Sequence, residues 1–170
     1  MKAASLTAVS EAVVEAAFLF LGVELIHIKK PYSLRDMHTV YLSLGSNIGN
    51  RKRALRDAVD LIGREIGVVE REATAIETEP WGFSSPNMFL NSCVKVLTVL
   101  TPRQVLETTQ HIERELGRTM KSVDGAYHDR IIDIDILLYD DISLNEPDLV
   151  IPHPHMQERE FVMIPLREIM

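Results

Sequence analysis

Arg130-Ile131-Ile132-Asp133-Ile134-Asp135-Ile136 is the stretch on which the fold turns. Isoleucines and aspartates alternate, and in a strand alternate side chains lie on opposite faces. Ile132, Ile134 and Ile136 then belong to a core. Asp133 and Asp135 share the other face, about 7 Å apart along the chain. Carboxylates fixed this close repel each other, and a divalent cation with phosphate oxygens is one common remedy. A polar sheet face salt-bridged to its neighbours is the other, and the pattern alone leaves both open.

Working outward, the strand is expected to run from Arg130 to Tyr139. Upstream, Thr39–Leu44 reads as a strand and Gly45–Asn50 as a turn-rich loop. Arg51–Ile66 reads as a helix with Asn50 as N-cap and Leu55, Val59, Ile62 and Ile66 on one face. Val68–Thr78 and Met88–Val99 read as strands around a loop through Pro80, Gly82 and Pro86. A second helix begins at Thr101, with Pro102 in its first turn and Gln104 completing a capping box. Gly117 closes it. Ile142–Ile151 is extended, and Met156–Ile169 is helical at least in part. This order predicts an α+β chain with a ferredoxin-like βαββαβ core, an antiparallel sheet with helices packed on it.

The boundary is expected near residue 37. Residues 1–36 read as an N-terminal extension of a helix and a short strand, outside the domain of residues 37–170, with Met37 as an alternative start. Their Lys-Lys-Pro ending bears a weaker resemblance to the tail of dihydroneopterin aldolase. The uncharged run Ala16–Val23 is too short to span a bilayer, and no targeting segment is read.

A formal charge of −7 argues against broad nucleic-acid binding. Cys93 is the single cysteine, so no internal disulfide forms, which fits a cytoplasmic protein. No nucleic-acid or membrane partner is expected, and the chain is read as a monomer or weak homodimer.

Further candidates flank the acidic pair. A polar loop with Arg118, Lys121, Tyr127, His128 and Arg130 could fold over phosphates, or it could simply be solvated. In Pro152-His153-Pro154-His155 the prolines aim His153 as a hydrogen-bond donor, in preference to a zinc ligand. Arg51, Lys52 and Arg53 oppose the helix dipole and read as a solvated helix end. Gly45-Ser46-Asn47 lacks the lysine of a Walker loop. Phe89 and Asn91 share a strand face and offer a stacking surface beside an amide, which suits a planar heterocycle as well as a core.

Together these stretches closely resemble the 6-hydroxymethyl-7,8-dihydropterin pyrophosphokinases. The match is carried by Tyr41–Asn47, Thr78-Glu79-Pro80-Trp81-Gly82, Phe89-Leu90-Asn91, Gln110–Glu113, Gly117-Arg118, Asp129–Ile136, Pro152-His153 and Arg159-Glu160-Phe161. The resemblance implies transfer of pyrophosphate from ATP to the hydroxymethyl group of the pterin, giving AMP, in folate biosynthesis. It implies two Mg2+ ions on Asp133 and Asp135, with Arg118 and Arg130 also catalytic. It implies ATP contacts at Gln110, Glu113, Arg118, Lys121, Tyr127, Arg130, Ile136, His153 and Arg159. The pterin would be held by Phe89 and Phe161, with Gly45, Thr78, Pro80, Trp81, Asn91 and Asp133. The sequence departs from the family at Met120, where a second arginine is common, and at Asp129, which replaces a usual proline.

Overall fold

The computed structural model describes residues 36–118 and 128–170. The chain divides between Met37 and His38, and the second unit, His38–Met170, holds every element below. These are β1 (His38–Ser46), α1 (Arg51–Glu65), β2 (Val68–Glu72), β3 (Ile76–Thr78), β4 (Phe89–Thr98) and α2 (Pro102–Glu115). After them come β5 (Asp133–Tyr139), the hairpin β6 (Leu144–Glu146) and β7 (Leu149–Ile151), a 3-10 turn Met156–Glu158, and α3 (Glu160–Ile169). The main sheet runs β2–β4–β1–β5, all antiparallel, with β3 also pairing β4. That is the order of the expected ferredoxin-like core.

Alternation sorts the sheet into two faces. Val40, Leu42, Leu44, Val94, Val96, Ile134 and Ile136 meet Leu55, Ala58, Ile62, Val105 and Ile112 of α1 and α2. The reverse face is divided. Cys93, Leu137 and Ala73 pack under Val162, Leu166 and Ile169 of α3, while Ser43, Gly45, Asn91, Asp133 and Asp135 are left beside the start of that helix.

Local chemistry explains the helix ends. Asn50 Oδ1 accepts from the Arg53 amide at 3.1 Å. Thr101 and Gln104 form the reciprocal capping box, and Gly117 adopts φ +96°, a left-handed angle that glycine takes at little cost.

Three boundaries differ from expectation. The stretch Val68–Thr78 is two strands, because the chain leaves the ladder between Glu72 and Ile76; a separate bulge near Glu70 shifts the register within β2. The Thr74 amide and hydroxyl then turn to the Glu168 carboxylate of α3, at 3.0 and 2.9 Å. Strand β5 starts at Asp133 instead of Arg130, because the Arg130 peptide is bound by Asn47 of the β1–α1 loop. The last helix begins only at Glu160, after the separate 3-10 turn.

Candidate active site

The site grows from two rows of the sheet. Gly45 lies between Asn91 on β4 and Asp133 on β5, and Ser43 lies between Cys93 and Asp135. The strand period therefore delivers an amide and two carboxylates to one face. A Cβ at Gly45 would stand 3.0 Å from Asn91 Oδ1 and 3.7 Å from the Phe89 ring. Glycine keeps this floor flat. Asn91 Nδ2 donates to Thr78 Oγ1 at 2.8 Å, which fixes the amide across the β3–β4 pair.

Above the floor is a cleft of about 520 Å3, including its open mouth. Gly45, Thr78, Trp81, Phe89, Asn91, Arg130, Asp133, Asp135, Arg159 and Phe161 line it, as do Ser43, Glu79 and Phe83. Phe83 meets Phe89 edge-on at 6.1 Å, and Trp81 tilts against Phe161 at 6.5 Å. The Arg159 guanidinium lies 4.5 Å from the Trp81 ring centroid and that of Arg130 lies 5.5 Å from Phe89. Both arginines thus bridge the aromatic and acidic halves of the cleft through cation–π contacts.

The acidic half is braced from α2. Arg118 Nη1 donates to Glu113 Oε1 at 2.6 Å and also to Asp133 Oδ1. Arg130 Nε stands 3.4 Å from Asp133 Oδ2. Glu113 Oε1 accepts the Ile134 amide at 2.8 Å, pinning the helix to the strand. Burial pushes the Glu113 carboxyl up, with Arg118 opposing. Asp135 is pushed up to about 7, first by burial and then by the charges of Asp133 and Glu113. The acids outweigh the local arginines at Asp135, and a hard divalent cation would relieve that imbalance. All the donors are oxygens, which suits magnesium.

His153 accepts from the His155 amide at Nδ1, 3.3 Å away, so its Nε2 carries the proton. Burial, then Arg159 and His155, lower its pKa to about 4. It neighbours the acidic half without lining the cleft, as do Glu113 and Arg118, and Gln110 on α2 is also outside the lining. The Ile136 side chain is 5 % exposed and faces the α1–α2 core. Strand alternation thus puts its side chain in the core, as expected, and leaves its backbone for a ligand. Met120, Lys121 and Tyr127 lie outside the described residues. Arg51 binds Glu77 and the Met88 carbonyl, while Lys52 and Arg53 are exposed and Arg53 pairs with Asp57 of its own helix, so apart from Arg51 the start of α1 is the solvated end expected.

Sequence reasoning missed Ser43, Glu79 and Phe83. Ser43 was open to inference, two residues before Gly45 on the same face. Phe83 sits in a loop without periodicity and gave no signal. Cys93 is buried beneath the site with its thiol pushed up to about 12, chiefly by burial. It stays protonated and is no nucleophile.

Among the described residues, the cluster of three potential metal ligands is Glu65, His111 and Glu115, all exposed and on α1 and α2. The two histidines His153 and His155 are not part of such a cluster.

The chain is similar to known proteins over most of its length. Residues 41–170 match the family model described as 7,8-dihydro-6-hydroxymethylpterin-pyrophosphokinase. A 2-amino-4-hydroxy-6-hydroxymethyldihydropteridine pyrophosphokinase of Porphyromonas gingivalis is 48% identical over 134 residues, covering 78% of this chain and 91% of that protein. One from Bacillus subtilis is 44% identical over 130 residues, covering 76% of each. In solved structures, the HPPK-DHPS of Plasmodium falciparum superposes with a TM-score of 0.63 at 19% identity, which speaks to the fold alone. That match covers 85% of this chain and 42% of the Plasmodium one. The chain therefore belongs to the 7,8-dihydro-6-hydroxymethylpterin-pyrophosphokinase family, ATP-dependent diphosphotransferases of folate biosynthesis.

Proposed function

We propose that the cleft holds the pterin between Phe89 and Phe161, over the flat floor at Gly45. Asn91 and Thr78 read its edge, with Pro80 and Trp81 walling the slot. The observation that carries this reading is the union, on one sheet face, of a glycine floor, a fixed amide and two adjacent carboxylates beside aromatic rings. Asp133 and Asp135 would hold two Mg2+ ions. When bound, these would supply positive charge against the negative charge that develops on the phosphates in transfer.

The chain's own residues do the rest. Arg130 reaches from Phe89 to Asp133 and sits where the pterin hydroxymethyl and the phosphates must meet. Arg118, held by Glu113, supplies a second guanidinium to the phosphate side. Arg159 and the Nε2–H of His153 extend that side. Gln110, Glu113, Lys121, Tyr127 and the Ile136 backbone complete the ATP contacts. The hydroxymethyl oxygen bonds to the β-phosphorus of ATP, the bond from that phosphorus to the α–β bridging oxygen breaks, and AMP leaves. A carboxylate of the pair takes the hydroxymethyl proton. Most of the work is positioning and charge stabilisation.

The whole site lies within residues 37–170, and we assign the activity to that segment. We place the protein in the cytoplasm as a monomer or weak homodimer. The single buried cysteine is compatible with a reducing compartment.

The test is direct: incubate the full chain with ATP, Mg2+ and 6-hydroxymethyl-7,8-dihydropterin, and follow AMP. Pterin-dependent AMP is expected, and its absence from folded protein refutes the reading. Asp133→Ala should keep the circular dichroism of the fold and lose turnover by about a thousandfold or more, as expected when a charge-stabilising group is removed. Near-native turnover would remove Asp133 from the metal role.

A further inference from the structure

Asp129 stands one residue before Arg130, outside the cleft lining, yet two other loops converge on its carboxylate. Oδ1 accepts from Asn47 Nδ2 of the β1–α1 loop at 2.6 Å. Oδ2 accepts from Asn87 Nδ2 of the β3–β4 loop at 2.6 Å. The Ser85 hydroxyl is a further donor to it, and these donors hold the carboxyl below its usual range, Ser85 foremost. Asn87 is in turn fixed by its own amide, which donates to Ser85 Oγ at 3.1 Å.

Ionised carboxylate oxygens only accept. Asp129 therefore forces both asparagines to present their NH2 groups to it. Asn47 is 3 % exposed, and with its NH2 committed its Oδ1 must face the other way. There it accepts the Arg130 amide at 2.7 Å, while the Asn47 amide donates to the Arg130 carbonyl at 3.1 Å. The Arg130 peptide is thus held on both sides by one residue whose orientation Asp129 sets. The same carboxylate grips the loop that carries Trp81 and Phe83.

We propose that Asp129 is a positioning residue that couples the wall of the pterin slot to the phosphate-side arginine, so that each substrate's binding favours the other's. This rests on the site assignment above. A pterin that settles Phe83 and Trp81 steadies Asn87, hence Asp129 and Asn47, hence Arg130. Binding of ATP at Arg130 runs the same chain in reverse, as linkage requires.

The experiment measures pterin affinity by calorimetry with Mg2+, with and without a non-hydrolysable ATP analogue. Wild type should bind pterin more tightly with the analogue; no such enhancement overturns the coupling. Asp129→Asn puts an NH2 against one of the two asparagine NH2 groups, and the enhancement should fall by about tenfold, within the usual range of coupling between sites. Adding Asn87→Asp reverses one hydrogen bond, keeps the net charge, and should restore the enhancement to within about threefold, the scale of one net hydrogen bond. If Asp129→Asn does not fold, Asn87→Ala alone removes the link to the slot wall and must lower the enhancement. Unchanged enhancement in the folded variants, or a swap that fails to restore it, overturns the proposal. Wild-type turnover without either effect leaves the site assignment standing and sinks only this inference.

Discussion

His153 shows how one residue's environment fixes its role. Its ring is half-buried, and Arg159 and His155 add positive charge nearby, so its pKa falls from 6.5 to about 4 despite the opposing pull of Asp133. At neutral pH it is a neutral donor and not a cation. The expected result is that histidine NMR titration of the ligand-free protein shows no protonation of His153 between pH 5 and 8, and a midpoint near 6.5 would refute this. The sign for stability follows. The unfolded chain takes up the proton below about 6.5 and the folded chain only near 4. The contribution of His153 is therefore full above 6.5 and is lost as pH falls toward 4. The flanking prolines in the sequence already marked this histidine as aimed. Its depressed pKa was not legible there, because desolvation comes from tertiary packing.

At the scale of elements, period-2 alternation made β1, β4 and β5 readable, and caps made α1 and α2 readable. Asn50, Thr101, Gln104 and Gly117 act through bonds to residues no more than a few positions away, which a linear reading can see. The break between β2 and β3 was invisible for the opposite reason. Thr74 leaves the ladder for Glu168, ninety-four positions along the chain. The start of β5 was misplaced likewise, by Asn47. The turn between α1 and β2 offers a test of close packing. A Cβ on Gly67 would lie 2.1 Å from the Leu97 carbonyl oxygen, which backbone must move to relieve. Gly67→Ala should destabilise the fold by about 1–3 kcal/mol in chemical denaturation, the range for overpacking. A variant within 0.5 kcal/mol of wild type, the size of a typical surface effect, would show that the turn yields freely.

In the molecule as a whole, the sheet separates stability from chemistry by face. The α1–α2 side is mainly apolar, and the reverse side shares its area between the α3 core and the cleft. Ile136 lies on the first face next to Asp135 on the second. Ile136→Val should lower stability by about 0.5–1.5 kcal/mol while leaving the KM values for pterin and ATP near native. A large KM change at native stability would place the side chain in the site after all. The acidic pair, the cationic residues around it and the aromatic slot were named from the sequence by motif. The sequence could not show that Glu113 acts as a strut between α2 and β5, or that Asp129 gathers two other loops, because both depend on distant partners.

Alternation along β5 has one more consequence. Were β5 to slip by a single residue against β1, isoleucines would enter the cleft and two carboxylates would be driven under α1 and α2. Mispaired chains would then be both unstable and inert, with no well-folded but inactive isomer between. The fraction of molecules that bind pterin in a preparation should thus equal the fraction correctly paired, so that counting sites amounts to proofreading the sheet.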